Sequence, residues 1–446
     1  MKRTLYNQLV RWKDSERRKP LMVYGARQVG KTYLLKEFGS REFDNMVYIN
    51  CYLNNAIKEL FSTDKDIDRL LLGLSAISGE EITPGRTLVF LDEVQDVPQV
   101  VASLKYFCED APHLHVAVAG SLLGVMNMEG YPFPTGKVDI LHLFPMTFTE
   151  FLDALGENQK EQLLYDRAGY PIVNDLLDDY ISLLRQYYFV GGMPEAVDAF
   201  ISTKSIQTVR SIQQNIISAY EADIAKHAGK DTQKARAIFQ AVPSQLAREN
   251  KKFVFGAIRS GSRAAEYENA IQWLVEAGLV YKVCRLTKVA IPFSFYQERE
   301  AFKLFLLDVG LLGALAQIPP SVMLIGDTIF SDFKGAFTEN YVLTQLKPIH
   351  DISISYYTKT NSTLEIDFLV QGGSMILPIE VKAEENVKSK SLQQFINVEY
   401  SSLNLHGYRF SMRGYKEQDW VTNIPLPAVY PFVKQLVESS AAEVSI

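Results

Sequence analysis

The chain has 446 residues, of which 47% are hydrophobic and 22% charged, and its formal net charge is −6. That length exceeds one ordinary core and predicts about three domains, while the acidic balance excludes a protein that coats nucleic acid non-specifically and leaves room for a local basic face. Cys51, Cys108 and Cys284 are too few and too scattered for a disulfide framework or a zinc site.

The N-terminal segment MKRTLYNQLVRWKDSERRKP has basic residues but no continuous apolar run, so no signal peptide is read and the expected location is the cytoplasm. Leu21 to Tyr24 reads as a buried strand. A G-x-x-x-x-G-K-T loop follows at once, made of Gly25, Ala26, Arg27, Gln28, Val29, Gly30, Lys31 and Thr32, with Tyr33 beside it. Polyphosphate binding needs consecutive amides turned inward, which glycines permit; Lys31 neutralises β/γ charge and Thr32 offers a hydroxyl to Mg2+. Thr32 to Phe38 reads as a helix whose N-terminus faces the phosphates, so ATP and Mg2+ are the expected cofactors. A β-prone run, Thr87 to Leu91, then ends in Asp92 and Glu93, where a parallel sheet presents functional side chains. Asp92 would hold the magnesium through its water shell, and Glu93 would polarise the attacking water. The next strand, Leu114 to Ala119, ends in Gly120 and Ser121; Ser121 reads equally as a γ-phosphate sensor and as a helix N-cap.

With these motifs and the stretch GKVDILHLFPMTFTEFL from Gly136, the chain resembles the prokaryotic AAA-type P-loop ATPases that carry a restriction-endonuclease-like C-terminal domain. In that family the last stretch usually begins Gly-Arg. Here Lys137 keeps the charge but loses the bidentate fork, which argues against fast hydrolysis if that arginine touches nucleotide. GGMPEA from Gly191 and Asp223-Ile224 also look like family landmarks, within a helical pattern from Glu161 to Ala225 that is read as a lid. By itself the glycine pair reads as a helix stop followed by a proline-led start.

Between Asp231 and Leu307 the order is helix, short helix, helix and two β-prone runs, with Ser262 opening the third helix. This is the shape of a winged helix. Arg248, Lys251, Lys252, Arg259 and Arg263 against the single acid Glu249 make a phosphate-facing surface for DNA conceivable there, with a protein-binding role weighing equally. Phe253 and Phe255 read as core. The apolar stretch Phe302 to Ile318 is broken by Lys303 and Asp308 and is too short for a membrane span, so no membrane partner is expected.

In STLEIDFLVQGGSMILPIEVKAEE a tight turn on Gly372-Gly373 would set Asp367 opposite Pro378 and Glu365 opposite Glu380. Ile366, Phe368 and Val370 would then share a face with Leu377, Ile379 and Val381, leaving Glu365, Asp367, Glu380 and Lys382 on the other. Asp367 and Glu380 become diagonal neighbours, roughly 7 to 8 Å apart, able to close on one divalent cation, with Lys382 placed to stabilise charge on a phosphate. Upstream, a helix from Lys334 to Leu346 would present Glu339, with Asn340 beside it. The set is similar to the restriction-endonuclease-like PD-(D/E)XK pattern.

The expected fold is α/β: a P-loop NTPase with a doubly wound parallel sheet over 1–160, a helical lid over 161–228, a winged helix over 229–320 and a restriction-endonuclease-like domain over 321–446. The expected function is Mg-dependent ATP binding and hydrolysis coupled to the winged helix and a nuclease-like domain acting on DNA. The alternative is a slow ATP-dependent switch that grips a protein partner through an inactive nuclease-like domain. Many AAA-type ATPases work as rings, so the resemblance also raises a homo-oligomer as partner, with no residue nameable as an arginine finger.

Overall fold

Five apolar runs become parallel strands: β1 Leu21–Gly25, β2 Asn45–Asn50, β3 Thr87–Asp92, β4 His115–Ser121 and β5 Asp139–His142. Among the described residues they form one sheet in the order β2-β3-β4-β1-β5. β3 is buried along its whole length and β4 nearly so, as parallel strands with both faces covered must be. Met22, Val47, Val89, Leu91, Val116 and Val118 enter one hydrophobic cluster, while the alternate residues Leu21, Val23, Leu88 and Phe90 are buried as well. β4 separates β1 from β3, and its register sets Ser121 beside Gly25. The ends of three strands therefore converge where β1 passes into the helix Lys31–Glu42.

This computed structural model describes every residue except 122–131, 249–251, 259–263, 327–330, 361, 384–388 and 445–446. The chain divides into two units: Lys2–Phe144 with Glu276–Gly278, which holds the parallel sheet, and Pro145–Val275 with Leu279–Ile446 and Met1.

In the second unit, helices run from Phe148–Leu155 through Leu177–Val190, Pro194–Thr203 and Ile206–His227 to Thr232–Leu246 and Ala264–Glu276. The GGMP turn joins two of them. Gly191 caps Leu177–Val190 and Pro194 opens the next helix, the stop and start that the sequence suggests. Strands β6 Val280–Leu286 and β7 Gln297–Leu306 follow as an antiparallel pair. Ser262, Lys251, Arg259, Arg263 and Glu249, the heart of the expected basic surface, lie outside the described residues.

β6 also pairs in parallel with β8 Ile352–Thr358, so the hairpin joins the C-terminal strands β9 Glu365–Gly372, β10 Met375–Lys382, β11 Gly407–Ser411, β12 Lys416–Glu417 and β13 Val421–Pro425. One sheet, β12-β13-β11-β10-β9-β8-β6-β7, thus runs across residue 320. β7 lies at its edge, and an edge strand's free peptide groups need cover. Asn340, from the helix Ser331–Leu346, supplies it: its side-chain oxygen accepts from Leu306 N at 2.8 Å and its amide donates to Leu306 O at 3.1 Å.

The β9-β10 register differs from the expected one by two residues. Gly372 pairs with Met375 and Phe368 with Ile379, so the turn sits on Gly373-Ser374 instead of Gly372-Gly373. Only Gly373 of the glycine pair takes a left-handed φ, +58°, which fits a II′-type turn with glycine at its first central position. Gly372 stays in the strand against Val437. Because the shift is an even number, no side chain changes face: Ile366, Phe368, Val370, Leu377, Ile379 and Val381 are buried as the alternation predicts. Asp367 and Glu380 each lie one residue past the last pair of the ladder, Phe368 and Ile379, in place of the diagonal placement expected.

Candidate functional site

The phosphate loop is shaped by left-handed backbone. Gln28 has φ +66° and Gly30 +93°, the left-handed backbone that an anion nest of inward-turned amides requires. Gly25 also has a positive φ, and a side chain there would meet Leu143 O at 2.2 Å. The buried Lys31 ammonium donates to the carbonyls of Gly25 at 3.0 Å and Ala26 at 2.8 Å. Burial lowers its pKa to about 8, against the pull of Glu93 and Asp92. A buried cation bonded to carbonyls of its own glycine loop is the arrangement that a polyphosphate cradle requires.

Sixty residues beyond Thr32 in sequence, Asp92 meets it directly: Thr32 Oγ1 donates to Asp92 Oδ2 at 2.6 Å. Tyr48 OH reaches the same oxygen at 3.4 Å, and Glu93 N donates to Oδ1 at 3.0 Å. Burial still lifts the Asp92 carboxyl above the usual range. This hydroxyl and carboxylate are hard oxygen donors that suit Mg2+ in a shell otherwise of water and phosphate.

Glu93 sits at φ +53°, an uncommon conformation for a residue with a side chain and one that clusters at functional positions. Gln95, on the short turn Val94–Asp96, binds its carboxylate: Nε2 donates to Glu93 Oε2, while Oε1 accepts from Ser121 N at 3.3 Å. Gln95 thereby links the carboxylate to the end of β4, a role that sequence reasoning missed; its only signal was an amide two positions after the acid. Arg3 was missed as well. Its guanidinium donates to Val29 O at 2.9 Å and Phe144 O at 2.6 Å, fixing the loop from the N-terminal segment. Tyr33 is exposed on the helix, and Lys137 forms an exposed ion pair with Glu109 at 2.9 Å.

In the second unit Glu339, Asp367, Glu380 and Lys382 do come together. Lys382 Nζ lies 2.8 Å from Glu380 Oε1, and although burial works against its charge, Glu380, Asp367 and Glu339 outweigh it and raise its pKa. Asp367 Oδ2 accepts from Val381 N at 2.8 Å where the β9-β10 ladder ends. Glu380 Oε2 is buried without a hydrogen-bond partner. An orphaned carboxylate oxygen in such a setting calls for a cation. Among the described residues no cluster of three or more Asp, Glu, His or Cys is disposed to hold a metal by itself, so water and a phosphate group would have to complete any shell here.

Comparison with known families matches residues 17–152 to an AAA domain, 181–322 to a Domain of unknown function (DUF8612) and 334–429 to another Domain of unknown function (DUF4143). The first match identifies an AAA-type P-loop ATPase domain around the loop and acidic pair described above. No curated protein matches the chain. Among solved structures, the Walker-type ATPase of Pyrococcus abyssi aligns at 15% identity and TM-score 0.45, over 70% of this chain and 94% of that one. The Aeropyrum pernix ORC1 protein in complex with DNA aligns at 14% identity and TM-score 0.29, over 72% and 92%. The RuvB branch migration motor of Thermotoga maritima aligns at 13% and 0.28, over 61% and 85%. These likenesses are too slight to bear on function. No helix among the described residues is long and apolar enough to cross a membrane.

Proposed function

We propose that the chain binds ATP with Mg2+, hydrolyses it, and uses the nucleotide state to govern a winged-helix region and a restriction-endonuclease-like domain acting on DNA. The observation that carries the ATPase reading is the 2.6 Å bond between Thr32 and Asp92 at the mouth of a glycine loop, within the segment that matches an AAA domain. Bound magnesium would supply charge neutralisation between the β- and γ-phosphates. Thr32 and Asp92 would hold it, Lys31 would exchange its two carbonyl partners for phosphate oxygens, and Glu93 would take the proton of the attacking water.

Lys31→Ala tests the site. Loss of a charge-assisted contact predicts ATP affinity weaker by about 10- to 100-fold with the fold intact, read by calorimetry and circular dichroism; binding that survives the change places the phosphates elsewhere. The pKa of Lys31 adds a second test. The free loop holds this lysine at about 8, and bound phosphate raises it, so ATP binding takes up a proton above that pH. From pH 7 to 9 the affinity is expected to fall about tenfold. Calorimetry in buffers of different ionisation enthalpy would detect the proton, and a flat profile would contradict the assignment.

The DNA-directed part rests on the E-x-K face, in which Asp367, Glu380 and Lys382 gather about an orphaned oxygen. Asp367→Ala with Glu380→Ala is expected to abolish divalent-dependent cleavage of DNA while sparing ATP hydrolysis; cleavage that persists assigns it to other residues.

A further inference from the structure

Arg3 precedes Val29 by 26 residues, yet its buried guanidinium bridges the phosphate loop to the residue at which the chain passes out of the first unit. Its Nη1 donates to Val29 O at 2.9 Å and its Nη2 to Phe144 O at 2.6 Å. Leu143, the neighbour of Phe144, already meets the start of the loop: Leu143 N donates to Tyr24 O at 2.7 Å, and a side chain on Gly25 would stand 2.2 Å from Leu143 O. One dipeptide, Leu143-Phe144, therefore touches the start of the loop directly and its far end through the fork of Arg3. A buried charge needs its donors used, and a planar guanidinium uses them along fixed directions, which an ammonium does not.

We propose that Arg3 is a positioning residue for the nucleotide, gripping the Val29 carbonyl so that the amide of Gly30 is held ready for a phosphate oxygen. This role rests on the nucleotide-binding reading of the loop and adds to it the group that sets the loop's shape. Peptide geometry decides the direction. The Val29 carbonyl and the Gly30 N–H belong to one planar trans unit and point to opposite sides, so a donor that fixes the carbonyl fixes the amide as well. Gly30 is the N-cap of the helix Lys31–Glu42, and its N–H therefore stands outside the helix ladder, where an anion can take it. The backbone around this unit does not hold itself. Gln28 at φ +66° occupies a conformation that its side chain disfavours, and Gly30 at +93° has no side chain to restrain it. Arg3 supplies the anchor before ATP arrives, so that the loop is ordered by folding and not by binding.

Calorimetric titration of the full chain with ATP and with ADP, each in Mg2+, tests the role beside steady-state hydrolysis. Arg3→Met is expected to weaken both nucleotides by the same factor, about tenfold, since loop amides cradle the α- and β-phosphates that the two share. In turnover the loss is expected in KM and not in kcat, the mark of a contact made equally in ground and transition states. Arg3→Lys keeps the charge but cannot hold two carbonyls in one plane, and is expected to bind as weakly as Arg3→Met. An arginine that only stabilised the fold would instead lower the number of binding-competent molecules and kcat, with Kd and KM unchanged. That result overturns the proposal, as does wild-type affinity in either variant; should Arg3→Met fail to fold, Arg3→Lys decides alone. A wild-type chain that binds neither nucleotide removes the nucleotide reading itself, and this role with it.

Discussion

Changing Glu93 to glutamine is expected to leave ATP binding in place and to slow hydrolysis by about 10²- to 10³-fold, the usual contribution of a positioned general base. The amide is isosteric and its oxygen can still accept from Gln95 Nε2, so the side chain keeps its place and loses only its basicity. Gln95→Leu makes a graded companion. It leaves the base but removes the link between Glu93 and Ser121 N, and turnover is expected to fall less than for Glu93→Gln, with ATP affinity unchanged. Single-turnover phosphate release, set against binding of a fluorescent nucleotide, separates the two. Wild-type turnover in Glu93→Gln would mean that another group activates the water.

The first unit was legible in the sequence because its chemistry is local. Glycine spacing, the lysine and the threonine lie within a few residues of each other, and an apolar run ending in Asp92-Glu93 declares where a strand delivers its acids. The C-terminal hairpin was legible in its faces, since a period of two survives any even shift. Its register was not, because adjacent glycines offer two places for the turn and only backbone dihedrals choose between them. Contacts between distant segments escaped altogether. Arg3 finds Val29 and Phe144 from the N-terminal segment, and Lys303 finds Glu365 across the sheet. Asn340 could be noticed beside Glu339, but its bonds to Leu306 depend on a helix packing over a strand edge that no spacing announces.

Alanine at Gly192 is expected to destabilise the second unit by about 3–4 kcal/mol, near the upper end for single substitutions. A Cβ there would stand 2.1 Å from Met146 O and 2.7 Å from Met146 N. Those are backbone atoms held in turn: Met146 N donates to Gly192 O at 2.7 Å, and Tyr187 OH donates to Met146 O. Nothing flexible can yield. Gly192 N also donates to Asp308 Oδ2 at 2.6 Å, and Asp308 Oδ1 caps the helix Val309–Leu315 through Leu311 N at 2.8 Å, so a displaced turn would uncouple a buried carboxylate whose pKa burial has raised to about 6. Gly191 is constrained differently. Its φ of 76° and ψ of −169° belong to a region that only glycine occupies readily, and a Cβ would meet Asp308 Oδ1 at 2.2 Å. Gly79 provides the contrast: it caps a helix at φ +77° with nothing within 4 Å, so Gly79→Ala is expected to cost only about 1 kcal/mol of backbone strain. Urea denaturation of Gly192→Ala, Gly191→Ala and Gly79→Ala would order them. If Gly192→Ala were no less stable than Gly79→Ala, the close packing of the GGMP turn against Met146 would not be what requires glycine there.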